Sequence, residues 1–138
     1  MNLSTEICKR MVSAKLFIDE NYGEDIDLHQ VAGRAFLSKF HFHRLFVRIY
    51  RKTPHQYLTE KRIEKAKTLL AGDDLTVTEV CNNIGFESIG SFSTLFKKEI
   101  GYAPQYYRNQ AWLKKQQAKE APKKFIPHCF IESYNLDK

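Results

Sequence analysis

Between Thr5 and Asn21 the apolar residues Ile7, Met11, Ala14, Phe17 and Ile18 recur at intervals of three and four. That is the period of a helix with one buried face. Beyond it the pattern repeats itself. DLHQVAGRAFLSKFHFHRLFVRIYRKTPHQYL is similar to TVTEVCNNIGFESIGSFSTLFKKEIGYAPQYYR. Leu28, Val31 and Ala32 match Val77, Val80 and Cys81 at an offset of 49 residues. Past the turn the offset is 50, pairing Ser38 with Ser88, Phe42 with Phe92, Leu45-Phe46 with Leu95-Phe96, Pro54 with Pro104 and Tyr57 with Tyr107. One extra residue therefore sits in the second turn. Two copies are too few for a solenoid.

Each copy reads as two short helices around a tight turn. Asp27, and Thr76 or Thr78, are N-caps for the first helix. Its inner face is Leu28, Val31, Ala32 and Ala35, repeated as Val77, Val80, Cys81 and Ile84. Gly85 gives the second turn a permissive backbone. Ser38 and Ser88 then cap a second helix, anchored by Phe42, Leu45, Phe46 and Ile49 or by Phe92, Leu95, Phe96 and Ile100. Ile89 extends this second apolar stripe toward the helix start. A helix pair with these properties is a helix-turn-helix unit.

Between the copies, Thr53-Pro54-His55-Gln56 combines an N-cap Thr, Pro at the first helical position and Gln at N3, a capping box. The helix it starts carries Tyr57, Leu58, Ile63, Ala66, Leu69 and Leu70 and ends at Gly72, a C-cap residue. About 17 residues at roughly 1.5 Å each make a rod of about 25 Å. With the units' own width added, the second helices of the two copies stand about 34 Å apart, one turn of DNA. Pro104 starts a further helix through Tyr107 and Trp112. The tail KKFIPHCFIESYNLDK has no readable period. The expected architecture is all-α, about seven helices: a first helix-turn-helix subdomain over 1–52, a linker helix over 53–72, a second subdomain over 73–121 and a tail over 122–138.

Charge sharpens this picture. The chain has 138 residues, with 22 Lys and Arg against 16 Asp and Glu, a net +6. The excess is unevenly placed. Ile18 to Gln30 holds five acids and no Lys or Arg, whereas Ser38 to Lys67 is dense in Lys and Arg. Such a cluster suits phosphate contacts, and a solvated helix surface would look the same by charge alone. The outward face of the first copy's second helix offers Lys39, Phe40, His43 and Arg44, side chains able to meet base edges and thymine methyls.

Other chemistries lack their residues. Cys8, Cys81 and Cys129 form no CxxC pair, and Cys8 and Cys81 fall among apolar positions, as buried reduced thiols do. His41 and His43 stand about 200° apart around a helix and cannot readily share an ion. No zinc spacing, Gly-rich phosphate loop or cofactor motif occurs, and Glu79, Glu87 and Glu99 have no partnered nucleophile. The chain reads as neither an enzyme nor a cofactor protein. The absence of a signal peptide or spanning apolar run predicts a cytoplasmic location without membrane contact.

With these residues in hand, RIEKAKTLL followed by VTEVCNNIGFESIGSFSTLFKKEIGYAPQYYR resembles the DNA-binding domain of the AraC/XylS family of bacterial transcription regulators. Ile84-Gly85-Phe86, Ser91-Phe92-Ser93, Phe96-Lys97-Lys98, Gly101 and Pro104 through Arg108 stand in the family's order, and the likeness covers roughly Glu6 to Gln110. The resemblance implies a seven-helix domain that places two recognition helices in successive major grooves. It also implies transcription control on the bacterial nucleoid, usually activation, with promoter DNA and RNA polymerase as partners. Base contacts would come from Phe40, His43 and Arg44 in the first reader and from Ile89, Gly90, Ser93 and Thr94 in the second. Phosphate contacts would come from Ser38, Lys39, Arg48, Arg51, Lys52, Ser88, Lys97 and Lys98.

Two positions depart from the family pattern. Arg51 stands where Gly is frequent, and the second reader lacks long polar side chains, so the first should carry most of the specificity. The competing readings are a less specific architectural DNA binder and a protein-interaction module. Many family members carry a further ligand-binding or dimerisation domain, for which this chain has no room. It is expected to be either a stand-alone, monomeric regulator or a fragment of a longer one.

Overall fold

In the computed structural model, residues 4–72 and 74–120 are described. The tail beyond 120, with Cys129, lies outside them. The described residues form seven helices and no strand: α1 Thr5–Asn21, α2 Leu28–Arg34, α3 Lys39–Tyr50, α4 Pro54–Ala71, α5 Val77–Asn83, α6 Ile89–Ile100 and α7 Pro104–Glu120. None of them is long and apolar enough to cross a membrane.

The helix starts follow side-chain chemistry. Ser4, Asp27, Ser38, Thr53, Thr76 and Ser88 each accept a hydrogen bond from a backbone N–H of the first turn. These bonds satisfy donors that a helix start otherwise leaves unpaired. Thr76, not Thr78, caps α5, because Glu79 sits at N3 and completes a capping box with it. Thr53 and Gln56 form the expected box on α4.

Two cores result. The first gathers Met11, Ala14 and Ile18 of α1, Val31 and Ala32 of α2 with Ala35 at its C-cap, Phe42, Leu45 and Phe46 of α3, and Leu58 of α4. The second gathers Ile63, Ala66 and Leu70 of α4, Val80, Cys81 and Ile84, and Phe92 and Phe96 of α6. The connecting helix is thus more than a spacer, since its first turns pack into one core and its later turns into the other. Burying a Phe of this kind is worth about 1.5–3 kcal/mol, so each second helix is held mainly by its aromatic pair.

The repeat extends to ring geometry. Phe42 and Phe46 lie 5.6 Å apart and Phe46 meets Tyr57 edge-on at 5.7 Å. Fifty residues on, Phe92 and Phe96 lie 5.6 Å apart and Phe96 meets Tyr107 edge-on at 5.5 Å.

Two expectations need correction. Cys8 is exposed, because the buried line of α1 runs through Met11, Ala14 and Ile18, with Ile7 packed against it, and Cys8 sits about 100° round from Ile7. Cys81 is buried as expected, and that burial raises its thiol pKa. Gly72 is the C-cap of α4 as expected, in an extended conformation (φ −84°, ψ 148°). Ile89 does not continue the buried stripe of α6; it is 46% exposed and belongs to the opposite face.

Candidate nucleic-acid interface

The second helix of each unit is fixed at both ends and along one side. For α3, the Ser38 hydroxyl accepts from the His41 N–H at 3.2 Å, and Phe42, Leu45 and Phe46 are buried. For α6, the Ser88 hydroxyl accepts from the Ser91 N–H at 3.1 Å, and Phe92 and Phe96 are buried. The turns before them use the same bonds. Leu37 N–H donates to Ala32 O at 3.1 Å and Phe86 N–H to Cys81 O at 3.2 Å. This is the six-to-one bond of a Schellman stop, which calls for a left-handed residue just before the donor. Gly85 supplies it at φ 88°, and Phe36 supplies it in the first unit at φ 55°.

Phe36 was not among the expected special residues. The signal was present, because an offset of 49 sets Phe36 opposite Gly85. Phe36 is 80% exposed, with the Arg10 guanidinium 5.7 Å from its ring centre.

The outward faces collect the candidates. His43 and Arg44 stand three and four residues beyond Phe40 on α3, and all three are exposed, Phe40 by 78%. Gly90, Ser93 and Thr94 form the corresponding line on α6, with Ile89 beside it at the first helical position. Ser93 is half-buried and the others are exposed. Val47 continues the α3 line one turn further and is also exposed. The sequence reading missed it, although its spacing four residues beyond His43 pointed there.

A notch beside the first reader is lined by Leu28, Lys39, Phe40, Phe42, His43 and Pro54. Its lining is largely apolar.

The phosphate candidates stand at the ends of these helices. Ser38 and Lys39 are at the start of α3, and Arg48, Arg51 and Lys52 are at its end. Ser88 opens α6, and Lys97 and Lys98 occupy its last turn. Lys39, Arg44, Arg51, Lys97 and Lys98 make no ion pair among the described residues. Lys52 differs, because its ammonium is paired with Glu60 at 2.5 Å. The Ser88 hydroxyl also donates to the Ser91 hydroxyl at 2.9 Å. An anion there would therefore meet backbone N–H groups of the helix start before it met this proton.

Among the described residues, no group of three or more His, Cys, Asp or Glu could hold a metal ion. Within the acidic stretch, Asp19 accepts from the Tyr57 hydroxyl and pairs with Lys61 at 3.4 Å.

The comparisons agree with this geometry. A family model described as a helix-turn-helix domain matches residues 31–110. The melibiose operon regulatory protein of Escherichia coli K12 is 31% identical over 100 residues, covering 72% of this chain and 33% of that protein. The transcriptional activator RhaS of Escherichia fergusonii is 33% identical over 92 residues, 67% of this chain and 33% of that protein. The chain thus spans about a third of the length of these curated relatives. Among solved structures, the DNA-binding domain of the global transcriptional factor AdpA, in complex with a target DNA, superposes with a TM-score of 0.69. It is 27% identical, over 81% of this chain and 96% of that one.

Proposed function

The chain belongs to the AraC/XylS family of helix-turn-helix regulators, and from that premise we propose that it binds double-stranded promoter DNA with α3 and α6 in successive major grooves and thereby activates transcription. The observation that carries this reading is the doubled reader. Two helices of 12 residues each sink a Phe pair into their own core, turn a solvent-facing line outward, and are carried on one connecting helix. An α4 of 18 residues is about 27 Å long. It spaces the two units for neighbouring grooves on one side of the duplex.

In this reading the units 1–52 and 73–121 each read a half-site, and 53–72 holds them. Phe40, His43 and Arg44 contact base edges from α3, Arg44 through its fork of donors and Phe40 against a thymine methyl. Ile89, Gly90, Ser93 and Thr94 face bases from α6, with shorter reach. Ser38, Lys39, Arg48, Arg51, Lys52, Ser88, Lys97 and Lys98 position both helices on phosphates, Lys52 after releasing Glu60. The activating role is supported by RhaS, a relative whose name is that of an activator. RNA polymerase is the partner it requires.

In vitro selection of duplexes bound by the purified chain tests the reading. The expected result is two half-sites centred about 10 base pairs apart, the first more sharply defined. Selection of no motif at all, with affinity falling steeply in salt, would instead support the architectural reading, which the short side chains of the second reader favour.

A further inference from the structure

The two units touch at a point away from their outward faces, and the contact is made by backbone. A Cβ on Gly23 would lie 2.8 Å from the Asn83 carbonyl oxygen. A Cβ on Gly85 would lie 3.0 Å from each of the Gly23 and Tyr22 oxygens and from Arg62 Nη2. The turn after α1 in the first unit is therefore pressed against the turn before α6 in the second. Arg62 of α4 closes this joint. Its Nε donates to Tyr22 O at 2.7 Å and its Nη2 to Glu24 O at 2.9 Å. Its guanidinium lies 5.8 Å from the centre of the Phe86 ring, which is itself 5.5 Å from Phe92, the buried anchor of α6.

We infer that Arg62 is a positioning residue for DNA reading, which locks the Tyr22-Gly23-Glu24 turn onto the Asn83-Gly85 turn and so fixes the spacing of half-sites the protein accepts. Arg62 is half-buried yet makes no ion pair among the described residues, and its acceptors are neutral carbonyls. Burial pushes its pKa down, with Asp25 opposing. A hydrophobic residue could fill the space but could not donate to the two carbonyls, which Arg62 holds through separate N–H groups of one rigid fork. The other arginine clamp behaves differently: Arg108 of α7 donates to Leu70 O and Leu75 O, both adjacent to the second unit's own helices. Arg62 alone, of these two, ties one unit to the other.

The consequence is geometric. One base pair moves the second half-site by about 3.4 Å and about 34° around the helix axis. A locked pair of readers cannot follow such a step, whereas a pair joined only through α4 can twist part of the way.

The inference rests on the proposed two-helix reading, and the experiment separates them. The purified chain is titrated with duplexes carrying its selected site, with the centre lengthened or shortened by one base pair, and with each half-site alone. Wild type is expected to lose roughly tenfold or more at either altered spacing. Arg62→Gln should lose about threefold or less relative to its own best spacing, with binding to isolated half-sites unchanged. Gly23→Ala keeps Arg62 but drives the two turns apart, and it should flatten or shift the same optimum; it decides the matter if Arg62→Gln does not fold. Two folded variants that retain the wild-type spacing penalty overturn the inference and leave the two-helix reading standing. A wild type indifferent to spacing overturns both.

Discussion

Arg51 and Gly101 end α3 and α6 in the same way. Arg51 stands at φ 63° and donates its N–H to Val47 O at 2.8 Å, and Gly101 stands at φ 96° and donates to Lys97 O at 2.8 Å. Glycine adopts this left-handed conformation freely, whereas a side chain with a Cβ costs on the order of 1 kcal/mol there. The first unit therefore accepts local strain where the second does not, at an exposed cation placed where a phosphate is expected.

Arg51→Gly should raise stability by about 1 kcal/mol, or about 3–5 °C in thermal melting for a domain of this size. The same variant should bind DNA less tightly, with the slope of log affinity against log salt reduced by about 0.9. A stabilised protein with an unchanged slope would show that Arg51 does not meet a phosphate.

Gly85 and Gly101 separate conformation from contact. Both have positive φ, but a Cβ on Gly101 would meet nothing within 4 Å, while one on Gly85 would meet three atoms at 3.0 Å. Gly101→Ala should cost about 1 kcal/mol through backbone strain alone. Gly85→Ala should cost distinctly more in the same melting experiment. Equal losses would mean that the joint between the units yields without resistance.

Much of this was legible because both signals were periodic. The offset of fifty residues marked the paired readers, their caps and their aromatic anchors, since the same physical demands were written twice in the same spacing. Phe36 was hidden because its left-handed role is stated by its partner Gly85, and a phenylalanine announces nothing of the kind. The exposure of Cys8 was missed because one position on a helix turns a residue by about 100°. The contact of Gly23 with Asn83 could not be read at all. It joins backbone to backbone across 60 residues, with no side chain to mark it.

Alkaline pH should test the seam between α1 and α4. The Tyr57 hydroxyl donates to Asp19, and burial, this bond and the nearby carboxylate charge all push the phenol pKa up. A phenol whose pKa is raised on folding contributes stability that is full below its unfolded value, about 10, and lost as pH rises through the folded value. Between pH 9 and 12 the wild type should therefore lose stability more steeply than Tyr57→Phe. Parallel pH profiles would show that the Asp19 bond adds nothing. Asp19→Asn removes the carboxylate charge and acceptor that help raise the phenol pKa, so it should flatten the profile as well.

The unequal chemistry of the readers gives the strongest expectation about sequence recognition. Arg44 and Thr94 occupy equivalent places, fifty residues apart, on the outward lines of α3 and α6. An arginine there can hold a guanine by two hydrogen bonds, a contact worth about 1–3 kcal/mol of discrimination, whereas a threonine offers one hydroxyl and a methyl. Gly90, with nothing within 4 Å of where its Cβ would be, is not required by packing and leaves a gap in the second line that a longer side chain could fill. Arg44→Ala should therefore reduce specific binding roughly tenfold or more and relax preference at one position of the first half-site. Ser93→Ala with Thr94→Ala should cost less and leave the selected motif nearly intact. Competition binding against mutated half-sites measures both. If the double substitution in α6 proved the more damaging, specificity would reside in the second helix, and the first would serve to hold the duplex.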